Sequence, residues 1–109
     1  VTKTAVLTVN PIPPAPLPAP TLVSPAVDAR FAPGQSVTLD WSDVTGSASY
    51  VMQVSTSSTF GTILFERTAT VSQTSAAFTA TGTRFWRVRA LRSDGSPGAW
   101  SAVRSFRVK

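Results

Sequence analysis

The chain has 109 residues, a net charge of +5 and neither cysteine nor histidine. Disulfides, thiolate nucleophiles, imidazole bases and the usual zinc ligands are therefore excluded together, and the length allows one domain of ordinary size. There is no apolar run long enough to span a membrane, no basic-then-apolar leader and no initiating methionine, so the chain reads as an internal or processed piece of a longer protein.

Residues 1–10, VTKTAVLTVN, alternate with the two-residue period of a strand. They read as the last strand of a preceding domain or as a tail, and a strand without its parent sheet would pair with an exposed edge, such as that of a second copy. Residues 11–20, PIPPAPLPAP, carry six prolines in ten residues. Proline cannot donate to a ladder or continue a helix, so this segment is expected to be an extended linker of about 30 Å.

From residue 21 to 109 short alternating runs recur between turn residues, and no stretch has a helical period. Strands are expected at 20–24, 36–42, 48–56, 62–67, 74–79, 83–92 and 100–108. Seven strands in one domain indicate an all-β, immunoglobulin-like sandwich. Alternation assigns the faces. Val37, Leu39 and Trp41 point inward, as do Tyr50, Met52 and Val54, and Trp86, Val88 and Ala90. Val51, Gln53, Ser55, Phe85, Arg87 and Arg89 point outward.

The strings VTLDWSDVTGSASYVMQVSTSSTF and GTRFWRVRALRSDGSPGAWSAVRSFRVK carry a resemblance. With Trp41 in the second strand, Tyr50 opening the third, FWRVRA in the sixth and GAWS before the last, residues 19–109 resemble a bacterial fibronectin type III domain. The resemblance implies a seven-stranded sandwich used as a spacer, stabiliser or occasional binding unit in secreted and cell-surface proteins, beside neighbouring domains of a parent chain. It implies no catalysis and no cofactor. Two departures matter. Arg84 stands where the family has the tyrosine that ties the corner before the sixth strand, so that corner is expected to be weaker, or replaced by Phe85 through a bulge. The loop after the sixth strand reads Arg92-Ser93-Asp94-Gly95, with no Arg-Gly-Asp tripeptide, which leaves integrin-type adhesion without support.

The residues themselves offer few sites. Asp40 and Asp43 are the only carboxylates close in sequence, one on a strand and one opening a turn, which is not the facing pair that hydrolysis needs. Asp94 alone cannot hold calcium, so no metal is expected. The basic residues are the unusual feature: seven lie between Arg84 and Lys109 against one acid. Arg87, Arg89 and Arg107 with Phe85 would form a basic outer face able to grip a polysaccharide or another anionic surface polymer, with nucleic acid a weaker candidate. The plain alternative is a solvated face whose long side chains cover apolar strand surface. Trp100 is either a platform for a sugar ring or a clamp over the last strand. Two readings follow, a non-catalytic structural spacer and an accessory binding module.

Overall fold

A computed structural model describes residues 17–109; the strand expected over 1–10 lies outside the described residues, as does most of the proline-rich segment. Among the described residues eight strands occur in chain order: β1 (Leu22–Ser24), β2 (Ala29–Phe31), β3 (Ser36–Trp41), β4 (Ser49–Ser55), β5 (Ile63–Ala69), β6 (Gln73–Ala77), β7 (Gly82–Leu91) and β8 (Arg104–Val108). One sheet has the order β1-β3-β6 and the other β2-β8-β7-β4-β5. All pairings are antiparallel except β2 with β8.

The two sheets face each other because β3, β4 and β7 each bury every second residue. Val37, Leu39 and Trp41 of β3 meet Tyr50, Met52 and Val54 of β4, Trp86, Val88 and Ala90 of β7, and Phe106 and Val108 of β8 in one core. The inward sets expected from alternation are all buried. Trp86, Met52 and Val54 have no exposed surface, and each such burial is worth about 1.5–3 kcal/mol, more for the indole. Aromatic rings divide the core. Trp41 packs edge-on to Tyr50 at 5.6 Å and beside Trp86 at 6.5 Å in one half. In the other, Phe106 contacts Phe31 at 5.8 Å and Phe78 at 5.5 Å, and Phe78 contacts Phe65 at 6.1 Å.

Three expectations need correction. The first is the count, eight strands rather than seven. β2 is only three residues long, too short for a period to show, and it follows the Ser24–Pro25 cis peptide and Asp28 with φ 62°. It leaves the first sheet and pairs with β8 in the second. The second is the start of the last strand, Arg104 rather than residue 100. Pro97 and Gly98 interrupt the ladder, and the segment stays beside β7 through Gly98 N–H to Ala90 O (2.8 Å) and Ser101 N–H to Val88 O (2.8 Å). The Ser101 hydroxyl accepts from Val88 N at 3.0 Å in place of a backbone carbonyl. The third is Ser55, which is buried and not outward. The register shifts after Val54, and the Ser55 hydroxyl donates to Thr62 O at 2.6 Å and accepts from Ser57 N at 3.0 Å.

The core also takes in Leu17, a residue whose neighbours in sequence read as linker; it is 4% exposed, and Pro20, three residues on, is also buried. Leu17 O accepts from Ala99 N at 3.2 Å. Two glycines make room: a Cβ on Gly98 would lie 2.6 Å from Leu17 O and 2.8 Å from Leu17 Cβ, and one on Gly46 would lie 3.3 Å from Leu17 Cδ2. Leu17 thus sits near the Ala90 end of β7, whereas Val108 pairs with Gly82 at the other. The two ends of the described chain are separated by the length of that ten-residue strand, roughly 30 Å.

Candidate functional site

The outer face of β7 carries the expected ligand residues, and strand register decides what each of them meets. Arg87 lies opposite Gln53 of β4, and Gln53 lies opposite Glu66 of β5. The guanidinium donates twice to Gln53 Oε1, from Nε at 3.1 Å and Nη2 at 2.8 Å. The Gln53 amide donates in turn to Glu66 at 2.7 Å, so a polar chain crosses three strands. Opposite-sense pairs at cross-strand positions stabilise a sheet by tenths of a kcal/mol each.

The same guanidinium is sandwiched between rings. Arg87 lies 4.2 Å from the Phe60 ring and 4.1 Å from the Trp100 ring, and Arg89 lies 4.4 Å from Trp100. The face is therefore a stack of aromatic and guanidinium planes, held by cation–π attraction of about 0.5–2 kcal/mol per contact. Burial, and after it the charge of Arg89, lowers the Arg87 pKa below the ordinary arginine value. Phe60 had no signal in the sequence. It sits in the turn between β4 and β5 with φ 57°, a conformation costly for a bulky residue, and is buried against Arg87.

Phe85, Arg87, Arg89 and Trp100 are all half-buried. Trp100 is not a core clamp over the last strand; it lies over the two arginines of β7. Arg107 stands apart from them. It is exposed and pairs with Thr83 of β7 and Arg30 of β2, four residues down β7 from Arg87, or roughly 13 Å.

Other arginines serve the fold. Arg84 is buried, and its Nη2 donates to Ala80 O at 2.8 Å and its Nη1 to Thr83 O at 3.0 Å. The corner expected to be weak is tied by the guanidinium itself, and Phe85 stays on the outer face. Gly82 permits this, with φ 136° and no Cβ; one placed there would lie 2.9 Å from Arg84 Nη1. Arg104 Nη1 donates to Val23 O and Pro25 O, both at 3.0 Å, fastening β8 to β1 and to the residue that follows it. Arg67 Nη1 donates to Ser75 O at 2.7 Å and Thr74 Oγ1 at 3.0 Å, bridging the two sheets. The one tyrosine, Tyr50, accepts from Val44 N and Ser47 Oγ, both at 3.0 Å, and closes the loop between β3 and β4.

Asp94 closes a loop of its own, accepting from Ser96 Oγ at 2.6 Å and Ser96 N at 2.9 Å. Those bonds lower its pKa. Among the described residues no three carboxylates gather in a group that could hold a metal ion. No described helix is long and apolar enough to cross a membrane.

No family profile matches the sequence, and no curated protein does. Solved structures do match. An Fn3-like protein from Clostridium thermocellum has a TM-score of 0.59 at 21% identity, covering 88% of this chain and 94% of that one. The fibronectin(III)-like modules of Clostridium thermocellum CbhA match with a TM-score of 0.60 at 20% identity, over 83% of this chain and 94% of theirs. The protein FN3tt gives 0.60 at 15% identity, over 85% and 96%. With two sheets, no helix among the described residues and these neighbours, the chain has the fold of a fibronectin type III-like β-sandwich.

Proposed function

We propose that the chain is a non-catalytic structural module of a larger secreted or cell-surface bacterial protein, holding its neighbours at a fixed distance and angle. The carrying observation is Leu17. A residue of the proline-rich segment is built into the core beside Gly98 and Gly46, so the domain holds the chain from Leu17 onward. The C-terminal residue is fixed at the far end, with Lys109 N–H donating to Phe31 O at 2.9 Å. The likeness to modules described as fibronectin(III)-like supports the same reading. The arginines fit it too, since Arg67, Arg84, Arg87 and Arg104 bond groups within the domain.

The test is backbone ¹⁵N relaxation on the whole chain. The amides of Leu17 and Ala19 are expected to have order parameters near 0.85, like the strands; values below about 0.6 would sink the fixed-joint reading.

A second reading, an accessory module for polysaccharide or another anionic surface polymer, rests on Arg30 and Arg107, which stand exposed side by side where β2 pairs with β8. Phe85, Arg89 and Trp100 would extend that face. Depletion of the protein by insoluble cellulose, chitin and xylan and by soluble acidic polymers, at low and high salt, separates the two readings. Retention that is lost in high salt and in an Arg30→Ala, Arg107→Ala variant belongs only to the second. No retention at low salt removes it for these ligands.

A further inference from the structure

The seam between the two sheets opens on one side, where β5 pairs only with β4 and β6 only with β3. A cleft of about 220 Å³ lies there, with Leu64, Phe65 and Phe78 among its walls and Ala80 and Arg84 beside them. Leu64 is half exposed to solvent, an apolar side chain without cover. The volume is below the 300–1,000 Å³ of pockets for drug-sized ligands, and suits one side chain's worth of apolar material.

Arg84 makes this cleft unusual. Its side chain is 95% buried, at 5% exposure, yet both its acceptors, Ala80 O and Thr83 O, are uncharged carbonyls. None of the residues lining the cleft is acidic. The Nε–H is buried and has no acceptor among the described residues. A buried cation with neutral partners and an unused donor carries a desolvation cost that carbonyl bonds only partly offset, and a carboxylate is the group that offsets it best. A tyrosine at this corner would tie Ala80 O without that cost, so the corner alone does not require a charge.

We propose that the cleft is a binding site for a small carboxylate bearing an aromatic or branched apolar arm. The arm fills the space between Leu64, Phe65 and Phe78, and the carboxylate accepts from the Arg84 guanidinium. The planar fork of arginine fits a carboxylate with two parallel bonds, which gives selectivity over an amide of the same shape. Such a group occurs in free aromatic acids and at the C-terminus of a peptide ending in phenylalanine or leucine.

The test is titration of the ¹⁵N-labelled protein with 3-phenylpropionate, with 3-phenylpropanamide, and with short peptides ending in phenylalanine as free acid or amide. Saturable shifts at residues 64–65 and 77–84 are expected with the acids, and binding of the amides about tenfold weaker or more. Arg84→Tyr keeps a corner donor and removes the charge; Leu64→Asp puts a fixed carboxylate at the exposed rim. Both variants should keep dispersed spectra and lose the acid-dependent shifts. Binding of the free acid alone assigns the site to small acids, and binding of the peptide acid assigns it to chain termini; either supports the proposal. Absence of saturable shifts with every acid, equal binding of acid and amide, or unchanged binding by Arg84→Tyr overturns it.

Discussion

Replacing Gly98 by alanine tests whether the proline-rich segment is part of the folded domain. At an unconstrained site the exchange would stabilise the protein by about 0.4–1 kcal/mol, because alanine restricts the unfolded chain. Here the new methyl would stand 2.6 Å from Leu17 O and 2.8 Å from Leu17 Cβ, both main-chain or near it, so Leu17 must move rather than rotate away. The displacement breaks the 3.2 Å bond from Ala99 N and exposes a side chain now 4% exposed. Losing that burial costs about 2–3 kcal/mol, which outweighs the entropic gain. The net cost is about 1–2.6 kcal/mol, and at about 4–8 °C per kcal/mol for a domain of this size Tm should fall by about 4–20 °C. Leu17→Ala should cost a similar amount for the same reason. The decisive measurement is urea unfolding of both single variants and the double. Because each removes the same contact, the double should lie within about 0.5 kcal/mol of the worse single variant. Additive costs, or a Gly98→Ala protein as stable as the parent, would refute the argument.

Three further outcomes follow from the geometry. Arg87→Ala removes two ring contacts and the bonds to Gln53, and should lower unfolding stability by about 1.5–2.5 kcal/mol, whereas Arg107→Ala should stay within about 0.5 kcal/mol of the parent; equal effects in chemical denaturation would deny the stack its role. Arg84→Leu leaves Ala80 O and Thr83 O without their donor and should cost about 1–3 kcal/mol, most of it recovered in Arg84→Tyr, as differential scanning calorimetry can show. Asp94, whose folded pKa is lowered by its bonds to Ser96, contributes stability that is present above the ordinary aspartate pKa and lost as pH falls through its lower folded value. The urea midpoint of Asp94→Asn should therefore approach that of the parent as pH drops from about 5 to 2, and a gap that widens toward acid would contradict the sign.

The core was legible because β3, β4 and β7 each bury one face, and a period of two then names the inward residues without ambiguity. Where that condition fails, so does the reading. Three residues of β2 cannot display a period, and its pairing with β8 depends on where the chain turns after Pro25. Ser55 lies on the outward phase, yet a register shift turns it inward to bond the Thr62 carbonyl. At the outer face the sequence brought Arg87, Arg89 and Phe85 onto one side of one strand. It could not show that Trp100 and Phe60, from two separate loops, would close on Arg87. Arg84 was visible as a departure from a tyrosine, but its consequence depended on Gly82 leaving space for a folded-back guanidinium. Leu17 was hidden by composition: six prolines in ten residues speak for a linker, and only the small residues Gly46 and Gly98, far along the chain, give the leucine a place to go.

The parallel pairing of β2 with β8 has a mechanical consequence. Tension that reaches β2 at its first residue and β8 at its last acts in opposite directions along a shared axis. Parallel strands pulled that way slide, and their cross-bonds resist together instead of opening one after another like the teeth of a zip. A patch of only three residue pairs thereby resists such a pull in shear.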